Sequence, residues 1–327
     1  MGAHVRVPLK VILSGEHAAV YGHPAISAAV ELYVEVEAEE SDGDAFSVRT
    51  ELGEQALGEV RATVTPSGDV RRVSSPGLGR ELSYVASAIG LCTEEFSPPP
   101  AEVRIRGEAP PASGLGTSAA VSAGVIAALA SLSGEELSRD RLRELVRRVE
   151  LDVQGRASWV DPTTVTYGGV LSITGREFRR LDCPEDLVLV IAYSGRPSRT
   201  GEMVDRVAEL LDSVGSVGER VMEAIGDLVL KVEGALESGD LRRLGELLDV
   251  NHGLLSALGV STRELDEIVH ALRRAGALGA KVTGAGGGGC AIGLFDDESR
   301  AETAAALIDA MGYRAYVTRP SPHGVRT

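Results

Sequence analysis

The sequence predicts an α+β fold in two lobes. Three observations carry that expectation. β-rich segments in the first half surround a helix with a glycine-rich entry, a long section from Thr200 to about Gly276 follows helical periodicity, and strands return on both sides of that section.

Taken in order, His4 to Leu13, Val30 to Ala38, Phe46 to Thr50 and Ala101 to Arg106 are alternating or β-rich runs and read as strands. Ala119 to Leu132 is a good helix former, with Thr117 or Ser118 expected as its cap. "RDRLRELVRRVELDV", Arg139 to Val153, shows one apolar and one charged face and reads as an amphipathic helix. "VTYGGVLSI" reads as a strand and "EDLVLVIAYS" as a buried one. The helical section is broken at Gly215, Gly239 and Gly259, "AKVTGAGGGGCAIGLF" returns to strand and glycine loop, and a helix at Glu298 to Met311 and a strand at Tyr313 to Thr318 close the chain. The lobe boundary is expected in the charged stretch Arg176 to Glu185, giving lobes 1–178 and 179–327.

A chain of 327 residues with 43% hydrophobic and 25% charged residues can build a proper core. Its net charge of −15 and lack of a basic stripe argue against nucleic acid and anionic membrane surfaces as partners. There is no apolar signal core and no run near the ~18 apolar residues of a membrane span, so a cytoplasmic location is expected. Cys92, Cys183 and Cys290 form no CxxC pair and suggest neither a disulfide framework nor a zinc site. Among 33 basic residues only Lys10, Lys231 and Lys281 are lysines, so a lysine kept where arginine is the habit points to a need for a compact ammonium.

Four segments carry candidate chemistry. "PPASGLGTSAA" puts Gly114 and Gly116 before a helix, where backbone N–H groups and the helix dipole favour an anion; a turn and cap is the plainer reading. "VPLKVILSGEHAAVYG" sets Lys10 in an apolar strand and follows it with Glu16 and His17, a cluster suited to a substrate carboxylate or hydroxyl, though such residues are usually solvated. "VELDVQGRASWVDPTTVTYGG" carries Glu150 on a helix and Asp161 in a loop; two carboxylates near a phosphate would supply a metal ligand and a general base. "KVTGAGGGGCAIGLF" has five glycines in positions 284–289, which weaken a strand and suit backbone packed on backbone or on a ligand. No GxxxxGK(S/T) and no well-placed GxGxxG is present, which disfavours P-loop and dinucleotide-binding readings.

Together with "NHGLLSALGVS", these motifs, in this order and across nearly the whole chain, resemble those of the mevalonate kinases of the GHMP kinase superfamily, and "VQGRASWVDPTTVTYGG" looks like the archaeal form. The resemblance implies a ribosomal protein S5 domain 2-like N-terminal lobe and a ferredoxin-like C-terminal lobe, with ATP and mevalonate between them. It implies that Pro111, Ser113, Gly114, Leu115, Gly116, Thr117, Ser118 and Ala119 bind ATP, and that Ser118 and Glu150 bind Mg²⁺. Asp161 would take the C5 hydroxyl proton and Lys10 would polarise that hydroxyl, with Glu16, His17, Thr200 and Ala285 lining the mevalonate site. A homodimer is the assembly common among relatives. This sequence departs from the family at Leu9, which replaces a glycine beside Lys10, and at Trp159, which replaces a glycine before Asp161. Adenine contacts are expected within Ser74 to Ala88 without assignment of a residue, and Asn251 and His252 are read as structural. A sister kinase of the same pathway and a non-catalytic sensor that binds ATP and a small molecule are the alternatives.

Overall fold

The structure, a computed structural model, describes residues 2–52, 60–73 and 79–327. Two sheets organise it. The first has eight strands: β1 (Gly2–Ser14), β2 (Ala25–Glu40), β3 (Phe46–Leu52), β4 (Val60–Val64), β5 (Val70–Val73), β6 (Ala101–Gly107), β7 (Val170–Thr174) and β8 (Glu177–Leu181). Its order is β5-β4-β3-β6-β2-β7-β8, with β1 on the other edge of β2. Valines and leucines of β1 and β2 are buried along almost their whole length, as expected of strands covered by helices. β2 begins five residues earlier than the apolar run at Val30 suggested, because Ser27, Ala28 and Ala29 have little strand propensity and are held by pairing with β1 and β7.

Helices α1 (Gly79–Phe96), α2 (Thr117–Leu132), α3 (Arg139–Gln154) and α4 (Val160–Tyr167) belong to this lobe. α2 is nearly all small or aliphatic and buried, so it lies against β1 and β2 with α1 and α3 around it. Its entry corrects the expected cap: Gly116 occupies that position in the left-handed region, and neither Thr117 nor Ser118 caps. α4 corrects two further expectations. Asp161 lies in the first turn of a helix, not in a loop, and Val165–Tyr167 are helical, with β7 starting only at Val170. Pro162 in the first turn costs no hydrogen bond that the helix would make, so it favours a start where it was read as a loop signal.

The second sheet has the order β10-β11-β9-β12, all antiparallel, from β9 (Val188–Tyr193), β10 (Gly279–Thr283), β11 (Cys290–Phe295) and β12 (Arg314–Thr318). Between β9 and β10 run α5 (Thr200–Val214), α6 (Ser216–Glu237), α7 (Leu241–Ala257) and α8 (Arg263–Arg274), and α9 (Glu298–Ala310) precedes β12. β8 pairs with β7 over Glu177–Leu181, so the first sheet extends past residue 178 and the change of sheet falls between Leu181 and Val188. The mostly exposed pattern of "EFRRL" explains why it reads as a charged boundary between the lobes. Asn251 and His252 lie well inside α7, whose N-cap is Asp240. After β12 the chain returns to the first sheet: Arg326 exchanges two backbone hydrogen bonds with Arg6, and Ser321 N–H donates to Ala29.

Candidate active site

The cleft between the lobes is built on backbone. Gly116 (φ 72°) turns the chain into α2, and a Cβ there would stand 2.8 Å from Lys10 Cγ and 2.9 Å from Lys10 Cε. Only glycine lets the lysine stem pass under the helix entry. Lys10 N–H donates to the Leu115 carbonyl at 2.9 Å, and its ammonium donates to the Gly114 carbonyl at 3.0 Å. The opposing glycine loop meets this one closely. A Cβ on Gly289 would lie 2.8 Å from the Ser113 carbonyl, and one on Gly284 3.2 Å from that of Gly114. Ser198 links the two, its N–H donating to Ala112 and its hydroxyl to Gly286.

Above Gly116 the charged groups converge. Lys10 Nζ lies 3.1 Å from Asp161 Oδ1, with the lysine buried and the carboxylate partly open to the cleft. Glu150, on the buried side of α3, faces the same space. Burial holds its carboxyl well above the usual carboxylate range, the Asp161 charge adds to this, and Lys10 and Arg147 oppose it. Two carboxylates and the Ser118 hydroxyl supply oxygen ligands for a hard divalent cation, and the N–H groups at the start of α2, unpaired within the helix, are placed to meet the phosphate oxygens that would share it. The buried Thr117 hydroxyl has no hydrogen-bond partner among the described residues. The residues present therefore fit an Mg·nucleotide.

A second polar cluster also lines the cleft. Glu16 is buried against Lys281, and burial raises its pKa while the ammonium opposes the rise. His17 sits at φ 61° with Nε2 3.0 Å from the Ala285 carbonyl, and burial lowers its pKa below the usual histidine value. The cavity encloses about 500 Å³ and is lined by Lys10, Glu16, His17, Glu150, Asp161, Thr200 and Ala285 together with Pro111, Ser113, Gly114, Gly116, Thr117 and Ser118. Leu115 and Ala119 do not line it: both are buried in the core behind the loop.

Sequence reasoning missed several walls. Thr50 and Tyr84 line the cleft, and Tyr84 lies within the stretch expected to meet adenine; residues 74–78 of that stretch lie outside the described residues. Arg156 lines the mouth and holds Asp205 of α5 through two contacts of 2.9 Å. No spacing marks these positions; only the folded sheet brings them to one cavity. Trp159 lines the cleft, and Arg147 stacks 4.5 Å from its ring centre, so the indole shapes one wall.

Comparison with known proteins bears on this geometry. The family described as "GHMP kinases N terminal domain" matches residues 83–169 and "GHMP kinases C terminal" matches residues 232–314. A mevalonate kinase of Pyrococcus horikoshii is 39% identical over 325 residues, spanning 98% of this chain and 96% of that protein. The chain belongs to the mevalonate kinase family of the GHMP kinases. Among solved structures, the mevalonate kinase of Methanococcus jannaschii aligns with a TM-score of 0.83 at 28% identity, covering 98% of this chain and 99% of that one. That of L. major, solved in complex with R-mevalonate, aligns with a TM-score of 0.83 at 26% identity, covering 98% and 96%. The two lobes described above are thus the N- and C-terminal halves of the GHMP kinase fold.

Proposed function

We infer that the chain is an ATP-dependent kinase that transfers a phosphoryl group to the C5 hydroxyl of (R)-mevalonate, feeding isoprenoid synthesis. The observation that carries the chemistry is the 3.1 Å pairing of Lys10 with Asp161 at the glycine entry to α2, in a cleft that Glu16 and His17 also line. The curated relatives named mevalonate kinase support the choice of acceptor.

The geometry supports a division of labour among these residues. Phosphoryl transfer asks chiefly for positioning and charge neutralisation. The N–H groups at the start of α2 and the loop from Pro111 to Gly116 receive the phosphates. Lys10, fixed by Gly114 and Asp161, presents its ammonium to the acceptor hydroxyl and favours its ionised form. Asp161 accepts the hydroxyl proton on its partly open carboxylate. Ser118 and Glu150 would hold Mg²⁺, which supplies neutralisation of the phosphate charge when bound. Glu16, His17, Thr200 and the Ala285 carbonyl bind and orient the acceptor. Among the described residues no helix is long and apolar enough to cross a membrane. A cytoplasmic location and a homodimer complete the proposal.

The test is ADP release with Mg·ATP and, in turn, mevalonate, phosphomevalonate, galactose and homoserine. Turnover with mevalonate alone is the expected result; equal turnover with another acceptor, or none with mevalonate, overturns the reading.

A further inference from the structure

Lys281 has no part in the chemistry just described, yet it is a fully buried lysine in a chain that uses arginine almost everywhere else. Its ammonium contacts Glu16 Oε1 and donates to the Ile12 carbonyl at 3.2 Å. Two residues on, Thr283 Oγ1 accepts from Ile12 N–H at 2.8 Å and lies 3.1 Å from the Ile12 carbonyl. Two residues further, the Ala285 carbonyl meets His17 Nε2. Alternate residues of one C-terminal segment thus grip the N-terminal strand and the turn that follows it. The remaining oxygen of the carboxylate, Glu16 Oε2, is buried without a hydrogen-bond partner among the described residues, and Glu16 lines the cleft. A buried ion pair is a poor way to gain stability, since an apolar pair of the same volume does as well or better. A buried, unpaired carboxylate oxygen is costlier still.

We propose that Lys281 is a positioning residue for acceptor recognition: by anchoring one oxygen of Glu16 it holds that carboxylate at the wall of the cleft, where it accepts a hydrogen bond from a hydroxyl of the acceptor. The ligand chemistry is that of a polyol or hydroxy acid. The proposal rests on the kinase reading of the cleft. It explains why an ammonium is kept here, because a compact donor reaches both the carboxylate and the Ile12 carbonyl from one point.

The experiment compares wild type, Lys281→Met, Glu16→Gln and the double variant in steady-state kinetics, with the mevalonate and ATP dependences measured separately. Lys281→Met is expected to raise the KM for mevalonate about tenfold, the worth of one lost hydrogen bond to a charged group, while the KM for ATP stays within about twofold. Because Lys281 acts through Glu16, the double variant is expected to match Glu16→Gln. A core defect would instead lower kcat and disturb both substrates. If Lys281→Met fails to fold, the double variant, which removes both buried charges, takes its place; a double variant about tenfold worse than Glu16→Gln in kcat/KM overturns the proposal. So does a Lys281→Met enzyme with unchanged KM for mevalonate. Wild type inactive on mevalonate would instead sink the kinase reading itself, so the two failures are distinguishable.

Discussion

Replacing Gly116 by alanine tests the close contact between the entry to α2 and the Lys10 stem. The new Cβ would stand 2.8 Å from Lys10 Cγ, 2.9 Å from Lys10 Cε and 3.5 Å from Asp161 Oδ2. The lysine cannot yield cheaply, because its ammonium is fixed by the Gly114 carbonyl at 3.0 Å and by Asp161 at 3.1 Å. A left-handed alanine costs ~1–2 kcal/mol in backbone strain. Overpacking against the lysine stem adds ~1–3 kcal/mol, for a total of ~2–5 kcal/mol. If the stem moves aside instead, stability recovers but the ammonium leaves its place, and a displacement of about 1 Å lowers kcat about 100-fold. Gly239 is the control: it has φ 71° and open space around its would-be Cβ, so Gly239→Ala bears the strain alone, ~1–2 kcal/mol, with kcat unchanged. Urea unfolding and ADP release are measured on both variants. Equal stability and equal kcat for Gly116→Ala and Gly239→Ala would refute the reasoning.

Other outcomes follow from the same structure. Glu150→Gln is expected to raise the Mg²⁺ concentration for half-maximal activity about tenfold or more, read by a metal titration at fixed ATP; an unchanged titration removes Glu150 from the metal site. His252 is held at a pKa of about 4 by burial, with the nearby Arg273 charge adding to the effect and Asp266 opposing it. The unfolded chain therefore binds the extra proton between the ordinary value of 6.5 and about 4, so stability is lost as pH falls through that window, by at most ~3 kcal/mol. Urea midpoints over this range should flatten in His252→Gln. Burial raises all three thiols, Cys183 to about 11 and Cys92 and Cys290 further, so none should react rapidly with iodoacetamide at pH 8 in the folded protein. Rapid labelling before unfolding would contradict this.

Much of the site can be read from the chain because its parts are local. The glycine entry at 114–116, the lysine in an apolar strand and the glycine run at 284–289 each force a backbone conformation or a close approach that other residues would obstruct. What escapes is set by tertiary contact. β2 extends through Ser27–Ala29 because two neighbouring strands pair with it, against the weak propensity of those residues. Asp161-Pro162 carries a turn signal and a helix-start signal at once, and packing of α4 against α2, α3 and β1 decides for the helix. Thr50, Tyr84 and Arg156 come to the cleft from a strand, a helix and a loop with no shared spacing. The partnership of Glu16 with Lys281 spans 265 residues of chain and leaves no local trace.

The central claim is that the Lys10–Asp161 cleft transfers phosphate to the C5 hydroxyl of mevalonate. Its most direct test is ³¹P and ¹³C NMR of the product formed from ¹³C-labelled mevalonate by wild type and by Asp161→Asn, with ATP binding measured on both. The account predicts phosphate on C5 with wild type, and a rate about 10²–10⁴-fold lower with Asp161→Asn while ATP binding is retained. Phosphate on a different oxygen, or undiminished turnover by Asp161→Asn, would contradict it.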